Sequence, residues 1–311
     1  MLRRALLALS ASNQVRDLIM ATPQARDVVA RFVAGETVAD ALTVTERLIS
    51  SGRLVTIDFL GEDTTDPEQA ARVADEYIRL LSQLSAAGLA AHGRAEVSVK
   101  PTAVGLGLAD HGEKTALENI SRIAAAARNA GTTVTVDMED HARVEATLRI
   151  AGQLRADYPD IGCVIQSYLR RSADDCAALA TPGSRVRLCK GAYQAAPGVG
   201  LASRAEVDRS YARCMRILLE GAGYPMLATH DPRLIRIAGT KAGILNREAG
   251  SFEYQMLYGI RPAEQVRLAA AGAQVRVYLP YGSDWYGYLV RRLAERPANL
   301  AFFLRALRSK R

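Results

Sequence analysis

Val97-Ser-Val-Lys-Pro101, Thr115-Ala-Leu-Glu-Asn-Ile-Ser-Arg-Ile-Ala-Ala-Ala-Ala-Arg-Asn-Ala130 and Val134-Thr-Val-Asp-Met138 follow one another in the chain. The outer two are short runs of strand type. The middle one sets Ala116, Ile120, Ile123, Ala124 and Ala127 on one helical face. Strand, helix and strand in this order imply two parallel strands joined by a helical crossover. The pattern continues in both directions. Strands are expected at Val55–Leu60, Val97–Pro101, Val134–Met138, Cys163–Tyr168, Val186–Cys189, Met226–Thr229, Phe252–Leu257 and Val275–Leu279. Further helices are expected at Arg143–Ala156, Ala205–Glu220 and Pro262–Ala271. Successive strands start roughly 25–40 residues apart, the length of one βα unit. Eight units imply a single α/β domain closed as a (β/α)8 barrel, with a doubly wound open sheet as the alternative. Residues 1–50 read as an N-terminal helical arm. Residues 51–311 read as the barrel, including a C-terminal helix and a basic tail, with no Pro/Gly/Ser-rich linker between them.

Composition narrows the function. Of 311 residues, 49% are hydrophobic and 23% charged, far from a disordered chain. No apolar run reaches the roughly 18 residues of a membrane-spanning helix. Lys and Arg exceed Asp and Glu by 40 to 33, a net +7 that invites a nucleic acid or an anionic membrane surface as partner. The arginines are dispersed and lack stacking aromatics among them, which argues against nucleic acid. The tail from Asn299 to Arg311 is basic and amphipathic, either docked by Phe302 and Phe303 or lying on a membrane surface. Met1-Leu-Arg-Arg-Ala-Leu-Leu-Ala-Leu-Ser10 is similar to a short secretory signal, but the apolar pattern runs on in helical spacing through Val15, Leu18 and Ile19, so a helix is expected. Cys163, Cys176, Cys189 and Cys214 show no C-x-x-C spacing, and Cys163 and Cys189 read as buried thiols. Reduced, cytoplasmic residence follows. No Walker loop, H-E-x-x-H or G-x-S-x-G occurs, Val104-Gly-Leu-Gly-Leu-Ala-Asp110 lacks the third glycine of a dinucleotide loop, and no metal site is expected.

Barrel enzymes carry their chemistry at the C-terminal ends of the strands. Lys100, Asp137 and Gln166 close the second, third and fourth expected strands. Arg187, Lys190 and Tyr193 run through and past the fifth, His230 follows the sixth, Glu253 and Gln255 interrupt the seventh, and Tyr278 the eighth. Polar groups inside apolar strands cost free energy unless satisfied, so this set points to one functional rim. Glu253 reads equally well as a buried salt-bridge partner. Beyond the last strand, Tyr288, Arg292 and Glu295 share a helix face with Arg291 beside them. Two adjacent arginines can clamp a carboxylate. Trp285 and Tyr286 read as packing residues. The rim lysines Lys100 and Lys190 also permit a Schiff-base lyase or aldolase, and the charge permits a noncatalytic anion- or nucleic-acid-binding protein.

With Thr56-Ile-Asp-Phe-Leu-Gly-Glu62, Val97-Ser-Val-Lys-Pro101, Val136-Asp-Met-Glu139, Arg187-Leu-Cys-Lys-Gly-Ala-Tyr193, Ala228-Thr-His230, Phe252-Glu-Tyr-Gln-Met-Leu-Tyr-Gly259, Val277-Tyr-Leu-Pro-Tyr-Gly282 and Tyr288-Leu-Val-Arg-Arg-Leu-Ala-Glu295 in order, the chain resembles the monofunctional proline dehydrogenases. Their flavin barrel also occurs inside bifunctional proline utilization A proteins. The resemblance implies FAD-dependent oxidation of L-proline to Δ1-pyrroline-5-carboxylate, with electrons passed to membrane quinone and a separate pyrroline-5-carboxylate dehydrogenase downstream. It implies that Arg291, Arg292 and Lys100 hold the proline carboxylate and that Glu295 orients the arginines. Tyr278, Tyr288 and Leu257 are implied against the pyrrolidine ring, where Tyr278 crowds a 4-hydroxyl. Glu62 is implied as the ion-pair partner of Arg291, closing over bound substrate.

For the flavin, the resemblance implies contacts from Asp137, Gln166, Arg187, Cys189, Lys190, Gly191, Ala192, Tyr193, Thr229, His230 and Gln255. Cys189 stands where the family often carries valine. Arg204 and Tyr211 are weak candidates for the adenine end. Part of the net charge is then expected at the site, in Lys100, Arg187, Lys190, Arg291 and Arg292. The rest, including Arg305, Arg308, Lys310 and Arg311, favours a peripheral position on the inner face of the membrane.

Overall fold

The computed structural model describes residues 23–193 and 195–295, with side chains described for 26–193 and 195–290. The expected signal-like start and the basic tail lie outside the described residues. Among the described residues there are eight strands: β1 (Leu54–Phe59), β2 (Ala95–Val99), β3 (Val134–Val136), β4 (Gly162–Gln166), β5 (Arg185–Cys189), β6 (Tyr224–Ala228), β7 (Glu253–Leu257) and β8 (Gln274–Tyr281). They pair in chain order, all parallel, and β8 closes on β1 through Val55↔Val277 and Phe59↔Tyr281. The sheet is therefore a closed barrel, and the open doubly wound alternative is excluded. The strands expected from the apolar and alternating runs lie within a few residues of those observed. The main differences are at β2, where Pro101 opens a 3-10 turn over Pro101–Val104, and at β8, which continues through Pro280.

Helices fill the crossovers: α3 (Pro67–Ala86), α4 (Gly112–Asn129), α5 (Val144–Asp157), α6 (Ser172–Leu179), α7 (Arg204–Glu220), α8 (Pro232–Ile244) and α9 (Pro262–Ala270). Local sequence starts them. Asp66 and Asp231 each accept a backbone N–H as N-cap just before a proline at the first helical position. Ser203 and Glu206 form a reciprocal capping box on α7. Ala116, Ile120, Ile123, Ala124 and Ala127 of α4 are all buried, as their spacing predicts.

The outward faces of the strands (Val55, Ile57, Val97, Val99, Val134, Val136, Ile165, Leu188, Leu227, Met256, Val277) meet these helices in one apolar core. The inward faces are different. Where a barrel of this type is usually filled with branched aliphatic layers, here Glu96, Ser98, Thr135, Arg187, Glu253, Gln255 and Arg276 are buried. The polar residues at every second strand position turn into the barrel, and the apolar residues between them turn out.

Among the described residues, two further helices precede β1: α1 (Pro23–Ala30) and α2 (Val38–Ser50). α2 buries Val38, Ala41, Val44 and Leu48 against β1 and β8, filling the gap between the last and first strands. The helix that follows β8, α10 (Trp285–Glu295), packs elsewhere. Its Trp285, Tyr286, Tyr288, Leu289 and Val290 form a second core with Val28, Phe32, Val33 and Leu60, so Trp285 and Tyr286 are packing residues as read from sequence. Leu60 directly follows β1, which places α10 at the C-terminal end of the barrel. The segment after α1 is tied to the same end: Ala34 N–H donates to Pro280 O at 2.9 Å, Gly282 N–H to Gly35 O at 3.0 Å, and Trp285 Nε1 to Glu36 Oε1 at 2.9 Å. Gly259 at φ +74° admits Arg31 O so closely that a Cβ there would lie 1.9 Å away.

Candidate active site

The C-terminal rim gathers its charges in pairs. At the end of β2, Lys100 reaches across to β1 and donates to both carboxylate oxygens of Asp58 at 2.7 Å. Both residues are buried. Burial works against the Lys100 ammonium, but Asp58, Glu62 and Asp137 outweigh it and raise its pKa above that of an ordinary lysine. Lys100 thus stays charged, paired with Asp58. Glu62, expected at the gate, lies in the loop after β1, near enough to help hold that charge.

Next to this pair stands Arg187 of β5. Its Nη1 donates to Asp137 Oδ1 at 2.6 Å and to Ser98 Oγ at 2.8 Å, and its Nε donates to Gln255 Oε1 at 2.6 Å. Burial disfavours its charge, and Asp137 then reverses the balance, so its pKa lies above the usual arginine value. Tyr278 donates its hydroxyl to the other Asp137 oxygen at 2.8 Å, and the Arg187 guanidinium lies 5.4 Å from the Tyr278 ring centre. Burial and Asp137 hold the Tyr278 phenol protonated, far above its ordinary value. Gln166 at the end of β4 donates to Met138 O at 3.1 Å, while its Oε1 is buried with no partner among the described residues. Asp137, Gln166, Arg187, Gln255 and Tyr278, chosen from five different strands or strand ends, therefore do meet.

The β5–β6 side of the rim is held by a second ion group. Lys190 pairs with Asp208 of α7 and, at 3.4 Å, with Asp231, the cap of α8. Arg233 bonds both aspartates and lowers the Asp231 pKa. Thr229 Oγ1 accepts the Asp231 N–H at 3.1 Å. His230 Nε2 accepts the Leu257 N–H at 2.9 Å, joining the ends of β6 and β7. Gly191 has φ +100°, and a Cβ there would lie 2.2 Å from the Tyr168 ring, so only glycine fits. Ala192 and Tyr193 follow it and are exposed.

Some expectations need correcting. Lys100, Arg187 and Lys190 do not carry uncompensated charge at the site, because Asp58, Asp137, and Asp208 with Asp231 balance them. Tyr211 is fully buried on the core face of α7 with Cys214 and Met215, so it cannot touch a cofactor's adenine end. Cys163 is buried as read, but Cys189 is only half-buried at the rim, with burial pushing its thiol up to about 12. Tyr288 is 6% exposed in the core shared with α1, and Leu257, at the end of β7, is half-buried. Arg291, Arg292 and Glu295 lie on α10, but their side chains are outside the described residues.

Sequence reading missed several members of this site. Asp58 is the direct partner of Lys100. Thr56 and Ser98 lie under Arg187. Glu139 receives the Thr102 N–H at 3.0 Å and the Thr102 hydroxyl at 2.5 Å, locking the turn that follows Lys100. Burial pushes the Glu139 carboxyl up to about 7 against these hydrogen bonds. The available signal was period two: Glu96 and Ser98 lead up to Lys100, Arg185 precedes Arg187, and Thr56 precedes Asp58, each at two-residue spacing on one strand face.

The comparisons with known proteins bear on this rim. A family model described as proline dehydrogenase matches residues 41–305. The chain belongs to the proline dehydrogenase family. It is 39% identical to proline dehydrogenase of Deinococcus radiodurans over 98% of this chain and 97% of that one. It is 38% identical to proline dehydrogenase 1 of Bacillus subtilis strain 168, over 90% of each chain. Among solved structures, proline utilization A from Bdellovibrio bacteriovorus, inactivated by N-propargylglycine, superposes with a TM-score of 0.79 at 26% identity. That match covers 86% of this chain but 32% of the larger protein, so the chain spans about a third of such bifunctional relatives. Among the described residues, the family's rim offers a flavin a buried acceptor in Gln166 Oε1, a buried guanidinium in Arg187, and the glycine turn at Gly191. These groups fit a planar ring system that carries N–H donors and accepts negative charge on reduction.

Proposed function

We propose that the chain oxidises L-proline to Δ1-pyrroline-5-carboxylate with noncovalently bound FAD and passes the electrons to a membrane quinone. The observation that supports this most is the buried Arg187–Asp137–Tyr278 group beside Lys100, at the C-terminal rim of a barrel of the proline dehydrogenase family. Asp137, Gln166, Arg187, Cys189, Lys190, Gly191, Ala192, Tyr193, Thr229, His230 and Gln255 are the residues assigned to hold the cofactor. When bound, FAD would supply a two-electron acceptor for the hydride from proline C5.

The chain's own residues bind, orient and desolvate. Arg291 and Arg292 present two planar forks to the proline carboxylate, and Glu295 orients them. Lys100 donates to Asp58 and, as a three-donor ammonium, adds charge toward the same carboxylate. Tyr278, Tyr288 and Leu257 form the apolar wall of the pyrrolidine ring and exclude water. Glu62 closes the site by pairing with Arg291. Arg291 and Arg292 also disfavour the substrate ammonium, so the ring amine sheds its proton before hydride leaves C5.

Among the described residues, no helix is long and apolar enough to cross a membrane. A cytoplasmic protein held on the inner face of the membrane by its basic surface suits a quinone acceptor. A separate dehydrogenase consumes the product.

Mass spectrometry of L-proline incubated with the purified protein and a soluble quinone tests the reaction. The expected product is lighter by two hydrogens. Unchanged proline would contradict the reading, and borohydride trapping of a carbonyl substrate on Lys100 or Lys190 of a protein without a bound chromophore would support the Schiff-base alternative.

A further inference from the structure

Beneath the rim, the barrel is filled by a closed set of charges. Glu96 and Glu253 are fully buried, and Arg276 is 3% exposed. Arg276 Nε donates to Glu253 Oε1 at 2.8 Å, and the Tyr224 hydroxyl proton is shared between Gln274 Oε1 at 2.5 Å and Glu253 Oε2 at 3.1 Å. Arg185 pairs with Glu96 at 2.7 Å. Two contacts connect this floor to the rim: Arg187 Nη2 lies 3.9 Å from Glu96 Oε1, and Gln255 donates from Nε2 to Glu253 Oε1 at 2.5 Å while accepting the Arg187 Nε–H on Oε1 at 2.6 Å.

The direction of that link follows from donor chemistry. Arg187 can only donate, and an ionised Glu253 can only accept. The Gln255 amide between them has one end of each kind. With Glu253 anionic and fixed by Arg276 and Tyr224, Gln255 has one satisfied orientation, with its oxygen toward Arg187. That orientation ties down Arg187 Nε. The same guanidinium then places Nη1 on Asp137 and Ser98. Turned the other way, the Gln255 amide would set its NH2 against the guanidinium and its oxygen against the carboxylate, so that Arg187 Nε loses its acceptor and two oxygens face each other in a buried site.

We infer that Glu253 is a positioning residue, which acts through Gln255 to fix how Arg187 faces the flavin. This rests on Arg187 being a flavin contact, as in the function proposed above. Glu253 itself touches neither substrate nor cofactor. It sets the field at the rim in two ways: its own negative charge balances Arg276, and its grip on Gln255 aims a cation. Removing the charge while keeping the shape should make the site more positive and stabilise reduced flavin.

The test is the flavin midpoint potential of the purified holoenzyme, measured for parent, Glu253→Gln, Gln255→Leu and the double variant. Glu253→Gln is expected to shift the reduction equilibrium toward reduced flavin by about tenfold, about 30 mV for a two-electron couple. Coupling through Gln255 makes the two substitutions non-additive, so the Glu253→Gln shift should shrink in the Gln255→Leu background. Tyr224→Phe removes a Glu253 partner without removing its charge and should shift the potential far less. If Glu253→Gln fails to fold, Glu253→Leu with Arg276→Met restores charge balance and is expected to leave Gln255 without its anchor and the Arg187-dependent potential altered. A potential unchanged in whichever of these folds, or strict additivity with Gln255→Leu, overturns the inference. A parent protein that takes up no flavin would instead overturn the functional reading on which it rests.

Discussion

Lys100 shows how a single residue was legible while its reason was not. A lysine closing an apolar strand stands out in the sequence. Its counterion, Asp58, sits two strand positions beyond Thr56 in a run that reads simply as strand. The pairing appears only when β1 and β2 lie side by side, in the register that sets Asp58 opposite Ser98. The pair has an energetic consequence. Removing the cation leaves a buried carboxylate unpaired, a loss of about 3 kcal/mol. Lys100→Met should therefore lower the unfolding free energy by that order in urea, and Asp58→Asn in the same chain should restore most of it. Equal stability of Lys100→Met and parent would contradict the pairing. Arg292→Lys makes a different point, because an ammonium cannot replace a bidentate fork. It should raise the KM for proline at least about tenfold, the equivalent of one lost charge-assisted hydrogen bond, while FAD content stays unchanged. An unchanged KM would remove Arg292 from the carboxylate site.

At the scale of elements, the eight strands were legible because their outward faces are continuous apolar surface. Their ends were less so. Pro280 has no N–H to give a ladder, yet β8 runs past it, since Asp58↔Pro280 and Phe59↔Tyr281 continue the pairing and the Pro280 carbonyl receives Ala34 N–H. The place of α2 between β8 and β1 was hidden as well: its amphipathic pattern demands a partner surface but does not say which. The turn after β2 carries a prediction of its own. It is fixed by Glu139 on Thr102, while Thr102 also accepts Asp63 N–H and Thr64 N–H from the loop after Glu62. Burial holds the Glu139 pKa at about 7 against 4.5 for an ordinary glutamate. The folded state thus keeps a proton that the unfolded chain releases. This contribution is complete below about pH 4.5 and is lost as pH rises through about 7, by roughly 3 kcal/mol over the interval. Urea unfolding across that range should show Glu139→Gln with a flatter pH dependence than parent. Parallel curves would contradict the raised pKa.

For the whole molecule, the barrel changes the meaning of its charge. Inside, Lys100, Arg185, Arg187 and Arg276 meet Asp58, Glu96, Asp137 and Glu253, so the interior carries no net excess. The +7 belongs to the rest of the chain. Sedimentation with anionic vesicles should carry the protein down at low ionic strength and release it as salt approaches the range where the Debye length falls below about 10 Å. Neutral vesicles should not bind it, and equal binding to both would discount the electrostatic account. The central claim is narrower than any of these: the polar rim of this barrel holds a flavin that proline reduces. Anaerobic addition of L-proline to the purified, FAD-loaded protein, followed by its visible spectrum, tests it most directly. Bleaching of the oxidised flavin band is the predicted result. A protein that takes up no FAD, or whose bound flavin stays oxidised in excess proline, would contradict it.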